Sequence, residues 1–119
     1  MSFRITKAGG KTTVKKLKYL PLGSVVLLKG GTQKLVIIGR GLQVQNAQKK
    51  ILFFDYAGVP YPQGLSGDEA MYFNIDMVVK VVHEGYSDED DVIVTDSIND
   101  YLAEHPDTIR GNADLWNAK

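Results

Sequence analysis

Two β-branched, leucine-rich runs, Ser24–Lys29 and Gln33–Arg40, flank Gly30-Gly31-Thr32. Glycine reaches positive φ without a Cβ penalty, so a glycine pair between two such runs reads as a hairpin turn. This is the strongest local signal in the chain, and it sets a β-rich reading for the residues around it. Tyr19-Leu20-Pro21-Leu22-Gly23 punctuates entry into the first strand. Leu42–Gln45 alternates apolar and polar residues, Asn46–Lys49 is a polar turn, and Lys50–Tyr56 is a further strand.

Gly58-Val59-Pro60-Tyr61-Pro62-Gln63-Gly64 carries two prolines within three residues, which removes ladder donors. The expectation is a surface loop running on through Leu65–Glu69. Met71–Phe73 reads as a short strand, Asn74 as the cap of a single helical turn at Ile75–Met77, and Val78–His83 as a last strand ended by Glu84-Gly85-Tyr86.

A helix follows. Ser87 can accept from an exposed amide, and Asp88-Glu89-Asp90-Asp91 complements the positive end of the helix dipole. Val94, Ile98, Tyr101 and Leu102 keep helical spacing, and Pro106 enforces a stop. The β-branched run Val92-Ile93-Val94-Thr95 leaves the start open between this cap and Asp96 or Ser97.

The fold class expected is α+β: a small antiparallel β-meander or SH3-like barrel with one C-terminal helix. Residues 1–19 read as a flexible basic arm, 20–105 as one β-rich domain with its closing helix, and 106–119 as a tail carrying Leu115 and Trp116. A chain of 119 residues supports one core rather than two.

Charge is segregated beneath a formal net charge of zero. Residues 1–50 hold eleven of the fourteen Lys and Arg residues and no acid, while residues 51–119 hold all fourteen Asp and Glu. Such asymmetry points to nucleic-acid contact, partner binding or internal complementarity. Apolar runs such as Val25–Leu28 and Leu35–Ile38 stop at four residues, and the first twenty residues lack the apolar core of a signal peptide. The expected location is therefore cytoplasmic, with no membrane association.

No constellation for covalent chemistry is visible. There is no cysteine, which excludes disulfides and thiolate metal sites. Gly10-Lys11-Thr12 resembles the end of a P-loop, but Ile5 stands where the motif needs glycine. His83 and His105 lie 22 residues apart with no clustered ligands, and Asp88–Asp91 lacks the EF-hand spacing. Asp55 has no identifiable acid–base partner. The reading is a protein that is not an enzyme, with no catalytic residue, cofactor or metal. Nucleic-acid binding is disfavoured because Phe53, Phe54, Tyr56, Tyr61, Tyr72, Phe73 and Tyr86 all lie in the acidic half, where phosphate is repelled.

Several stretches together resemble the domain-of-unknown-function family numbered 4176. They are Leu20-Pro21-Leu22-Gly23-Ser24-Val25-Val26-Leu27-Leu28-Lys29-Gly30-Gly31, then Lys34-Leu35-Val36-Ile37-Ile38-Gly39-Arg40. Asp55-Tyr56-Ala57-Gly58-Val59-Pro60-Tyr61-Pro62-Gln63-Gly64 is the most specific stretch, followed by Tyr72-Phe73-Asn74 and Val82-His83-Glu84-Gly85-Tyr86. The resemblance covers about residues 20–105. It implies a small cytoplasmic protein of Gram-positive bacteria, encoded near type VII secretion loci and LXG-type toxins, with an accessory role as chaperone or targeting factor. An immunity protein against the toxin is the alternative, and a small-barrel nucleic-acid binder the second. The expected partner surface is the Asp55–Gly64 loop (Asp55, Tyr56, Val59, Pro60, Tyr61 and Pro62) together with the acidic helix start at Asp88, Glu89, Asp90 and Asp91, where a basic toxin segment would be attracted.

Overall fold

The computed structural model of the chain describes residues 17–67 and 70–112. The tail residues Leu115 and Trp116, and most of the expected basic arm, lie outside the described residues. Five strands, β1 (Val25–Leu28), β2 (Leu35–Gln45), β3 (Ile51–Pro60), β4 (Met71–Phe73) and β5 (Val78–His83), precede one helix, α1 (Glu89–Glu104). All pairings are antiparallel, in the order β4-β3-β2-β1-β5. The first four strands form a meander. The fifth passes through a 3-10 turn at Ile75–Met77 and returns to the free side of β1. The sheet is open, with β4 and β5 as its edges, so the meander expectation describes it and a closed barrel does not.

Local chemistry explains most of the connections. Gly30 takes φ +72 in the β1–β2 turn, and the Gly31 amide donates to Leu28 O at 3.1 Å. In the β2–β3 turn the Asn46 side-chain oxygen accepts from the amides of Gln48 (3.0 Å) and Lys50 (2.9 Å). That asparagine-based turn lets Lys49 adopt φ 64.

Two expected breaks are absent. The runs at Gln33–Arg40 and Leu42–Gln45 join as one eleven-residue strand, with a register shift between Ile37 and Gly39 and Gly41 at φ +63. The glycines permit the irregularity without ending the ladder. Likewise β3 does not stop at Tyr56: Gly58, Val59 and Pro60 pair with Ile37, Val36 and Leu35. Pro60 is tolerated because it is the last residue of its strand. The loop begins only at Tyr61, whose amide donates to Lys34 O at 2.9 Å.

Tyr19, Val26, Leu35, Ile37, Tyr56 and Phe73 form the core, with Leu17, Leu20, Leu28, Ile75, Val78 and Ile98 packed against it. Each fully buried aliphatic side chain here contributes about 1.5–3 kcal/mol. Leu52 to Val59 are buried without interruption, so β3 is covered on both faces and is the spine of the molecule. By contrast β5 is exposed at Val79, Val81 and Val82, and two register shifts interrupt its pairing with β1. Bulges of this kind blunt an edge against pairing with other chains.

Helix α1 includes the β-branched run, because tertiary anchoring outweighs its weak helix propensity. The cap is Asp88 rather than Ser87: the Asp91 amide donates to the Asp88 carboxylate at 3.2 Å, while the Ser87 hydroxyl donates to the Asp91 carboxylate at 2.8 Å. Nor does an apolar residue lead the buried face. The helix's buried residue is Asn99, whose side chain accepts from the Leu17 amide (2.8 Å) and donates to the Leu17 carbonyl (2.9 Å). Residues 17–19, expected in the arm, are therefore fastened to the body.

Candidate functional site

Asp55 projects from the middle of β3 and is 1% exposed. A carboxylate in that position needs partners. The Tyr19 hydroxyl donates to Oδ1 at 2.8 Å, the Ile75 amide donates to Oδ2 at 2.8 Å, and Arg110 Nη2 pairs with Oδ1 at 2.5 Å. Asp55 therefore caps the 3-10 turn. Asn74, expected as that cap, instead accepts from the Asp55 amide (2.9 Å) and donates to Gly111 O (2.6 Å). The Arg110 guanidinium lies 5.2 Å from the centre of the Phe53 ring. Around Phe53 the chain is zipped in parallel: the Phe53 amide donates to Ile109 O and the Gly111 amide to Phe53 O, both at 2.8 Å. Gly111 packs on the face of Phe54, where a Cβ would collide with the ring.

Tyr56 is equally buried, and its hydroxyl accepts from the Leu20 amide at 2.8 Å. Burial raises the phenol pKa of both tyrosines. For Tyr19 the Asp55 carboxylate adds to the rise, and for Tyr56 the Leu20 amide opposes it. Neutral phenols at these positions join chain segments: the entry segment at Leu17–Leu20, the 3-10 turn and the C-terminal run all meet at β3.

The expected partner surface consequently divides. Asp55, Tyr56 and Val59 are buried strand residues and cannot present themselves to a partner, and Pro60 is partly covered at the strand end. The uninterrupted burial of β3 is the reason. Tyr61 and Pro62 are exposed, joined by a cis peptide bond, and Lys34 Nζ lies 5.4 Å from the centre of the Tyr61 ring. At the helix start, Asp88 is the cap and Asp91 turns inward to Arg40 Nη1 at 2.6 Å, with side-chain exposures of 5% for Arg40 and 15% for Asp91. Glu89 and Asp90 remain in solvent. The segregated charge is thus partly internal, since a base of the first half holds an acid of the second.

Sequence reading missed a third feature. Between α1 and the sheet lies an open groove of about 440 Å³, with Gly41, Gln43 and Phe53 on the sheet wall and Ile93, Val94 and Tyr101 on the helix wall. Ile98 closes its base by packing on Gly41, where a Cβ would stand 2.8 Å from the isoleucine Cγ1. The Gln43 amide donates to the Tyr101 hydroxyl across one end. The legible trace of this groove is Val92-Ile93-Val94, a longer apolar run than a one-sided surface helix needs. Among the described residues no three His, Asp or Glu side chains converge as a metal-binding group. No described helix is long and apolar enough to cross a membrane.

Fold and site together define a small α+β domain, an open antiparallel sheet carrying one anchored helix. Within that class, residues 19–94 match the family model described as Domain of unknown function (DUF4176), and the chain belongs to that family. No curated protein and no solved structure matches it.

Proposed function

We propose that this chain is a non-enzymatic, cytoplasmic partner-binding protein, acting as chaperone or targeting adaptor for a toxin exported by type VII secretion. The observation that carries the reading is the exposed apolar run in the first half of α1. Val92, Ile93 and Val94 are 51%, 64% and 47% exposed, on a helix whose charges are Glu89, Asp90, Asp91, Asp96, Asp100 and Glu104 with no base. Apolar side chains left in water among acids suit a partner segment that is both basic and apolar. Tyr61 and Leu65, 47% and 59% exposed in the β3–β4 loop, offer a second anchor of the kind that dominates interfaces.

Co-purification with the cognate toxin tests the assignment. Ile93→Asp is expected to abolish capture, and Tyr61→Ala with Pro62→Ala to weaken it. Undiminished capture by both variants refutes the surface. Loss of toxin secretion on deletion supports the chaperone role, whereas loss of protection from the toxin transfers the same surface to an immunity role. Nucleic-acid binding is less well supported, since Arg40 is withdrawn into its pair with Asp91. An oligonucleotide titration that stays flat at low salt removes it.

A further inference from the structure

Most of β2 runs past its neighbour. β1 pairs with it only at Leu35 and Val36, and Ile37 closes that side by accepting from the Gly23 amide and donating to Ser24 O. Beyond Ile37, among the described residues, only β3 pairs with β2. Alternate amides and carbonyls of Leu42–Gln45 therefore lie on a third open edge. It lacks the guards of the other two. β5 has Lys80 within it and two register shifts, and β4 is three residues long. Leu42-Gln43-Val44-Gln45 has no charge and no proline, and its register with β3 is constant. Arg40, the nearest base, is turned inward to Asp91. Gln43 and Gln45 are exposed, while Leu42 and Val44 are half-buried.

We propose that this edge pairs with the same edge of a second copy, antiparallel about a two-fold axis at Gln43. A two-fold contact must be self-complementary, and this stretch is. Leu42 falls opposite Val44 of the second copy on both sides of the axis, and no like charges meet within the pairing. The same register carries Asn46 of the second copy opposite Arg40, so Lys49 and Lys50 in its turn arrive beside the start of α1. Arg40 holds Asp91 at 2.6 Å, which keeps Glu89 and Asp90 at that place. Lys49, Lys50, Glu89 and Asp90 are all exposed, and none is in a salt bridge among the described residues. Symmetry makes this contact twice. The charge separation between the chain's halves, used within one molecule by Arg40 and Asp91, is then completed between molecules. The inference goes beyond the partner reading and stands whether or not α1 also receives a toxin.

Sedimentation velocity of the full-length chain tests the assembly. The mass is expected to rise with concentration towards twice that of one chain and no further, because a two-fold contact closes on itself. Gln43→Lys and Gln43→Glu each place like charges on the axis. Each should stay monomeric where the native chain is dimeric, with a native circular dichroism spectrum. Mixed in equal amounts, the two should recover the dimer. Tyr101→Phe removes the hydroxyl that Gln43 bonds within the chain, and should leave the dimer intact. Lys50→Glu should weaken association several-fold at low salt and less at high salt. A chain that is monomeric at every concentration overturns the proposal. So does a dimer that Gln43→Lys leaves undisturbed, which assigns the contact to another surface. A mixture of the two folded charge variants that stays monomeric overturns it as well.

Discussion

Removing the Asp55 carboxylate by Asp55→Ala probes the junction at β3 most directly. Two buried donors, the Tyr19 hydroxyl and the Ile75 amide, point at it. Hydrogen bonds to a charged group are worth about 1.5–3 kcal/mol each, which sets an upper range of roughly 3–6 kcal/mol for the two. The ion pair adds little, because the Arg110 side chain is 35% exposed and can turn to water. Local relaxation and water entry recover part of the loss, which leaves an expected destabilisation of about 3–5 kcal/mol. That is a large share of the roughly 5–15 kcal/mol typical of a domain. Asp55→Asn retains one acceptor and should fall about midway. Urea unfolding followed by far-ultraviolet circular dichroism measures both. A loss below about 1 kcal/mol for Asp55→Ala, within the range of an ordinary surface change, would refute the view that this carboxylate joins the segments.

Three other perturbations have defined outcomes. Gly41→Ala places a Cβ at φ +63 and against Ile98, so urea unfolding should show a loss of about 2–4 kcal/mol, only partly restored by a second Ile98→Ala change. Asn99→Ala frees both backbone groups of Leu17 and should cost about 2–3 kcal/mol, with faster hydrogen exchange at the Leu17 amide as the local reading. Tyr19 and Tyr56 both have raised folded-state pKa values, so the folded chain keeps phenol protons that the unfolded chain releases from about pH 10 upward. Their stabilisation is complete below that pH and is lost as pH rises. Urea midpoints should fall on the alkaline side, more gently in Tyr19→Phe.

The strands are legible because β-branched runs and turn residues are local signals. Only pairing corrects their ends. Pro60 reads as a break, yet at the end of β3 it has no ladder bond to lose, and Gly39 to Gly41 read as a boundary where the sheet merely accommodates a shift. The site is harder to see. Asp55 sorts with the loop beyond it, although a single acid inside Ile51-Leu52-Phe53-Phe54-Asp55-Tyr56-Ala57 is itself a mark of a buried, partnered carboxylate. Its partner Arg110 carries no such mark, because the two are brought together only by the tertiary zip at Phe53. Asn99 is hidden for a related reason: periodicity reports apolar faces, and the residue that fastens α1 is polar.

The joints made by Asn99 and Arg110 bear on how the protein is born. Leu17 and Tyr19 are translated early, but Asn99, which holds Leu17, follows 82 residues after it, and Arg110, which pairs with the Asp55 carboxylate bound by Tyr19, comes later still. Until then Asp55 has no basic counterion and the first strands have no lid, so an incomplete nascent chain exposes its spine. A fragment cut at residue 94, where the family match ends, would lack both Asn99 and Arg110 and so both joints.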